Sequence, residues 1–171
     1  ERIMYRQRKI VLRGLLCILL VLPVSHAFAQ HTVMEGRQFA AEKNYDKAIP
    51  VYEEIYGLSP DSVYKEYLDM LLLAKKYKQA EKLVERQISF NSQNYILRID
   101  LGNVYLKQGK EAQAKEQFNM LVGMVNGDDI LTTRIVGAFT DAGKYDYAAA
   151  TYERAIEILH SAYIYSAPLA K

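Results

Sequence analysis

A chain of 171 residues, half of them apolar, has the length for one compact or repeat-built unit and not for several. Its formal charge of +2 is unevenly placed: Arg2, Arg6, Arg8, Lys9 and Arg13 lie before residue 30 against Glu1 alone, and the remaining 17 basic residues face 19 acidic ones. Past the N-terminus there is no basic excess, which argues against a nucleic-acid footprint. A single cysteine, Cys17, excludes a disulfide within the chain and a sulfur-built metal site.

Residues 1–29 read as an export signal. Arg6 to Arg13 form a basic region, Leu15 to Val24 an apolar run interrupted by Pro23, and Ala27-Phe28-Ala29 the small-x-small pattern of a cleavage site. The run is about ten residues, too short to span a bilayer comfortably. Cleavage before Gln30 is expected, and an uncleaved anchor is the alternative. Leu16 stands before Cys17 where lipid attachment needs a small residue, so a lipoprotein is disfavoured. The sequence opens Glu-Arg-Ile ahead of Met4, itself a candidate start.

Helical periodicity then runs to the end. A first helix over 31–43 places Val33, Gly36, Phe39 and Ala40 on one face. After a turn at Asn44, Asp46 is expected to cap a second helix whose apolar line is Ala48, Ile49, Tyr52, Ile55 and Tyr56. Pro50 is expected in its first turn, and Gly57 to Pro60 is expected to end it. Asp61 or Ser62 should cap the next helix, through Tyr64, Tyr67, Leu68, Leu71 and Leu72 to Lys75-Lys76. Its partner, 78–90, should turn Ala80, Leu83, Val84, Gln87 and Ile88 inward, and 91–94 is a turn. Ile96, Ile99, Leu101, Gly102 and Tyr105 mark another helix, and Ala114, Phe118, Leu121 and Val122 the one after it. Asn126-Gly127-Asp128 is a strong breaker, with Asp128 or Asp129 as cap. Finally Leu131, Ile135, Val136 and Phe139 are expected to face Ala148, Tyr152, Ala155, Ile156 and Leu159. No stretch alternates with the period of a strand, so the chain is expected to be all-α, with eight helices.

The pattern recurs. Ala48, Ala80, Ala114 and Ala148 are separated by 32, 34 and 34 residues, and Tyr52, Phe118 and Tyr152 each stand four residues after such an alanine. The best-marked copy is Leu101, Gly102, Tyr105, Ala114 and Phe118. It is joined by Gly36, Phe39, Tyr45, Ala48, Tyr52 and Pro60, and by Phe139, Tyr145, Ala148, Tyr152 and Ala155. In the second copy Leu68 replaces the small residue and Val84 the aromatic, and no copy has a tryptophan. These residues resemble the tetratricopeptide repeat family over roughly Thr32 to Leu159. The resemblance implies a right-handed α-solenoid of four stacked helix–turn–helix repeats, over 30–60, 61–94, 95–128 and 129–160. Residues 161–171 would be the start of a further helix or of a truncated repeat, or a surface covered by another subunit. Tyr163, Ile164 and Tyr165 are apolar where a terminal cap should be polar.

Catalytic constellations are not evident. His26, His31 and His160 lack metal-ligand spacing, and Glu53-Glu54 and Asp128-Asp129 are adjacent pairs that read as solvated or capping charge. No catalytic residue, metal or cofactor is expected. Of the tyrosines, Tyr45, Tyr52, Tyr105, Tyr145 and Tyr152 fall on packing positions, whereas Tyr56, Tyr64, Tyr67, Tyr95 and Tyr147 are less constrained. The resemblance implies that the first helix of each repeat lines a concave groove. Its candidate binding residues are Arg37, Lys65, Asp69, Asn103, Lys107, Thr133 and Asp141, with Val33, Leu72, Ile96, Ile99 and Ile130 beside them. The family's carboxylate clamp is not reproduced: Asn103 follows Gly102 as in a clamp, but Ile99 and Arg37 stand where a lysine and an asparagine belong.

The expected function is therefore a non-enzymatic protein-interaction scaffold. It would bind a protein or peptide segment in the periplasm or envelope of a bacterium, in a style similar to envelope repeat proteins of Bacteroidetes-type bacteria. It would engage no nucleic acid, and membrane only through the N-terminal segment. An adaptor part of a longer enzyme or secretion component, and a repeat protein that self-associates through its last repeat, are the alternatives.

Overall fold

The computed structural model describes residues 33–166, with side chains through 160. Eight helices and no strand occur among them. The export signal, its cleavage site, Cys17 and Met4 lie outside these residues. Two compact units divide at Ala74 and Lys75.

In the first unit α1 (33–41) is followed by α2 (Tyr45–Leu58) and α3 (Pro60–Leu73). Ala48, Ile49, Tyr52, Ile55 and Tyr56 form the buried line of α2, as their spacing predicts. Val63, Tyr64, Tyr67, Leu68 and Leu71 form that of α3. Tyr56 and Tyr67, expected to be weakly constrained, meet in the core with ring centroids 5.9 Å apart. Burying one such side chain contributes about 1.5–3 kcal/mol. Several ends differ from expectation. Asn44, not Asp46, is the N-cap of α2, and Asp46 sits in the first turn, where its charge favours the helix dipole. Because α2 starts that early, Pro50 falls in its second turn, exposed and unable to donate a ladder bond. Gly57 stays helical. Ser59, not Asp61 or Ser62, is the N-cap of α3, because Pro60 takes the first helical position with its φ already suited to it.

The second unit holds α4 (Tyr77–Phe90), α5 (Leu97–Lys107), α6 (Glu111–Gly123), α7 (Asp129–Asp141) and α8 (Tyr145–Ser166). Helices α5 and α6 form one antiparallel hairpin and α7 and α8 another; α4 packs on α5, and α6 on α8. Asp128 caps α7 as expected, its Oδ1 accepting the amides of Ile130 and Leu131 at 2.8 and 3.1 Å. Ile88 and Val122 are only half-buried.

Each turn from a first helix to a second uses one left-handed residue: Lys43 (φ 56°), Lys75 (58°), Gly109 (74°) and Gly143 (67°). All four stand five residues before the repeat alanine. Around Gly143 the amide of Lys144 bonds Phe139 O at 2.8 Å and that of Gly143 bonds Thr140 O at 2.9 Å, a Schellman closure. Asn44 and Lys43 make the same pair of bonds. Glycine adopts this conformation freely, whereas lysine pays for it.

A second device, at Gly102 and at Gly36, seats the aromatic ring that stands four residues after the repeat alanine against a glycine of the first helix. A Cβ on Gly102 would lie 2.2 Å from Phe118 Cε1, so only glycine leaves room for that ring. Gly36 does the same more loosely for Tyr52, whose Cε2 would lie 3.5 Å from an added Cβ. In the next copy Leu68 and Val84 stand at these positions, each buried within its own unit. In the last copy Val136 occupies the seat, and Tyr152 is exposed. This overturns the expectation that Tyr152, Ile156 and Leu159 face inward. The buried line of α8 is instead Ala148, Thr151 and Ala155. Beside it Tyr147 stacks on Phe139 at 5.5 Å and meets Phe118 at 4.8 Å. Thr151 is buried without cost, because its Oγ1 donates to Tyr147 O at 2.7 Å.

Candidate functional site: the first helices of the repeats

Packing consumes most of the residues that mark the repeats, and the candidate binding residues lie on the solvent-facing lines of the first helices. In the first unit, Arg37 of α1 and Lys65 and Asp69 of α3 are exposed there. Arg37 is committed to a neighbour. Its Nη2 and Nε donate to the two oxygens of Glu66 on α3 at 2.6 and 3.2 Å, and the Tyr52 hydroxyl of α2 donates to Glu66 Oε2 at 3.1 Å. One carboxylate therefore ties three helices. The bidentate guanidinium holds the Glu66 carboxyl below the usual glutamate range, and Glu66 in turn raises Arg37. Burial, and then the bond to Glu66, pushes the Tyr52 phenol up to about 12. Sequence reasoning selected Arg37 and missed Glu66, one residue beyond Lys65. The pair is 29 residues apart and becomes visible only once α1 and α3 are side by side.

In the second unit, α5 carries Asn103, half-buried, and Lys107, exposed, one turn apart. On α7 Thr133 and Asp141 are exposed two turns apart. Gly137 lies between them on the same line, and an added Cβ there would meet nothing within 4 Å, so the α7 surface is open and unobstructed at that point. Arg134 lies over the Tyr95 ring at 5.4 Å, linking α7 to the segment before α5. Ile99, expected beside these residues, is buried in the core; Ile96 is half-buried, and Ile130 is exposed. The seven candidates thus fall into two sets, Arg37, Lys65 and Asp69 in one unit and Asn103, Lys107, Thr133 and Asp141 in the other.

A second polar cluster holds α4 to the α5–α6 hairpin. Gln108 Nε2 donates to Glu81 Oε2 at 2.8 Å and to Tyr77 O at 3.1 Å. Lys110 Nζ lies 3.1 Å from the same carboxylate and 5.2 Å from the centre of the Tyr105 ring. Gln108, then Lys110, holds the Glu81 carboxyl low, while burial raises the Tyr105 phenol. All these groups are satisfied by one another, which gives the cluster a bracing role. No group of His, Cys, Asp and Glu among the described residues could hold a metal ion. No described helix is long and apolar enough to cross a membrane.

Residues 71–130 match the family model of the tetratricopeptide repeat. No curated protein matches the chain. Among solved structures, MamA from Desulfovibrio magneticus RS-1 (residues 41 to the end) is similar at 17% identity and a TM-score of 0.46, covering 78% of this chain and 76% of that one. MamA of MSR-1 is similar at 18% identity and a TM-score of 0.44, covering 78% of each. The matched segment spans α4, α5 and α6, so the family is matched over residues 71–130, about a third of the chain.

Proposed function

We propose that this protein is a non-enzymatic scaffold that holds a segment of a partner protein against the first helices of its repeats. The observation that carries this reading is the division of labour on α5 and α7. Gly102, Val104, Tyr105, Ile135 and Phe139 are buried, while Asn103 and Lys107 on α5 stay half-buried and exposed, respectively, and Thr133 and Asp141 on α7 are exposed on either side of the bare backbone of Gly137. Donors and acceptors of both signs on a preformed helical surface can register an extended segment at little ordering cost. Export to the periplasm or envelope belongs to the same proposal and rests on the N-terminal sequence: a basic region, a short apolar run and Ala27-Phe28-Ala29. The test is capture from envelope extract by the full chain and by a Lys107→Ala/Thr133→Ala/Asp141→Ala variant. Loss of a specific partner with an unchanged far-UV spectrum is expected. Equal capture by both chains would move the site off these helices.

A further inference from the structure

Helix α8 runs for 22 residues, whereas α2 to α7 run for 11 to 14. Beside the line it buries, it carries a second apolar line in solvent: Tyr145 is 67% exposed, Tyr152 53%, Ile156 64% and Leu159 54%. With the exposed Ala149, these residues are spaced 4, 3, 4 and 3 apart, and the next step of four in the sequence is Tyr163. That is the rhythm of a coiled-coil seam, Ala149 and Ile156 alternating with Tyr145, Tyr152 and Leu159. The seam from 145 to 159 is roughly 21 Å long at 1.5 Å per residue.

The repeat positions indicate what can cover it. The residues equivalent to Tyr152 in the other copies, Tyr52, Val84 and Phe118, are all buried. Stacking of a second copy head-to-tail would bring its α1 onto α8. The inner first helices present Tyr67, Leu101 and Ile135 at the corresponding position, all buried, but α1 presents Glu35, which is exposed. A carboxylate pressed onto Tyr152 and Ile156 would lose its water with nothing to replace it. A second α8, by contrast, offers a seam of the same rhythm, whose tyrosines can bury their rings and keep their hydroxyls at the wet edge.

We propose that α8 pairs with α8 of a second copy of this chain, seam to seam, in an isologous dimer. The surface is separate from the first-helix faces, so the dimer and the partner-binding reading stand or fall independently. The experiment uses the full chain with Cys17→Ser and one new cysteine, oxidised mildly and read on a non-reducing gel. Ile156→Cys should give a covalent dimer, Lys115→Cys on exposed α6 should stay monomeric, and adding Tyr152→Glu to Ile156→Cys should abolish the dimer without changing the far-UV spectrum. The proposal is overturned if Ile156→Cys stays monomeric, if Lys115→Cys links equally well, or if the dimer survives Tyr152→Glu. Stronger linkage in a mixture of Glu35→Cys and Ile156→Cys chains than in Ile156→Cys alone would show head-to-tail stacking, and would also overturn it.

Discussion

The seat shared by Gly102 and Phe118 can be tested by exchanging the sizes of its two occupants. In Gly102→Leu the new Cβ would lie 2.2 Å from Phe118 Cε1 and 2.6 Å from Cζ. The ring cannot retreat, since Phe139 at 6.0 Å and Tyr147 at 4.8 Å stand behind it. Overpacking of this kind costs about 3 kcal/mol at the upper end of its range, and the gain in helix propensity over glycine returns up to about 1 kcal/mol. The single variant should therefore lose about 2 kcal/mol. Phe118→Val empties the seat and the contacts on Phe139 and Tyr147, a loss of about 3 kcal/mol. Independent effects would sum to about 5 kcal/mol. In the double variant leucine fills what the ring vacates, and the loss should fall to about 3 kcal/mol, a coupling of about 2 kcal/mol. Urea unfolding followed by far-UV circular dichroism, on all four corners of the cycle, measures it. Additivity within about 0.5 kcal/mol would refute the shared seat.

Three further outcomes are expected. Lys75→Gly, which relieves a left-handed lysine, should stabilise by about 1 kcal/mol and Gly109→Lys should destabilise by about as much, read as shifts of the urea midpoint. Asp128→Ala removes two N-cap bonds and should cost about 1 kcal/mol by the same measure. The cluster at Glu66 should make stability depend on pH at both ends. Its carboxyl is lowered in the fold, so its contribution is present above the unfolded value of 4.5 and is lost as pH falls through the lowered folded value. The Tyr52 phenol is raised, so its contribution is present below 10 and is lost as pH rises towards about 12. A carbon-detected NMR titration should show Glu66 returning towards 4.5 in Arg37→Gln, and an unmoved midpoint would show that the ion pair does not set it.

How much of this was legible in the sequence depends on whether a residue acts alone or in a pair. Ala48, Ala80 and Ala114 are buried because any larger side chain would hold two helices apart, so the residue type reports the environment and the period could be read directly. Tyr152 satisfied the same motif as Tyr52 and Phe118, yet it lies in solvent. The seat that would receive it belongs to the residue 16 positions earlier, and there Val136 replaces the glycine that stands at Gly36 and Gly102. A match scored one position at a time records an aromatic in the right place, but burial follows from the sum of two volumes. The left-handed turns show the same limit, since Gly109 and Gly143 announce the turn, while Lys43 and Lys75 adopt the same conformation with a residue type that does not announce it. At the candidate site, Arg37 was identifiable as polar and outward, but its bond to Glu66 is a contact between helices, fixed by their spacing and not by either residue. Val136 thereby does more than break a motif. It fills the place that a ring takes beside Gly102, while α8 keeps its orientation: Ala148 and Ala155 are buried as Ala114 and Leu121 are at the same repeat positions, and Tyr152 stays outside with Ile156 and Leu159.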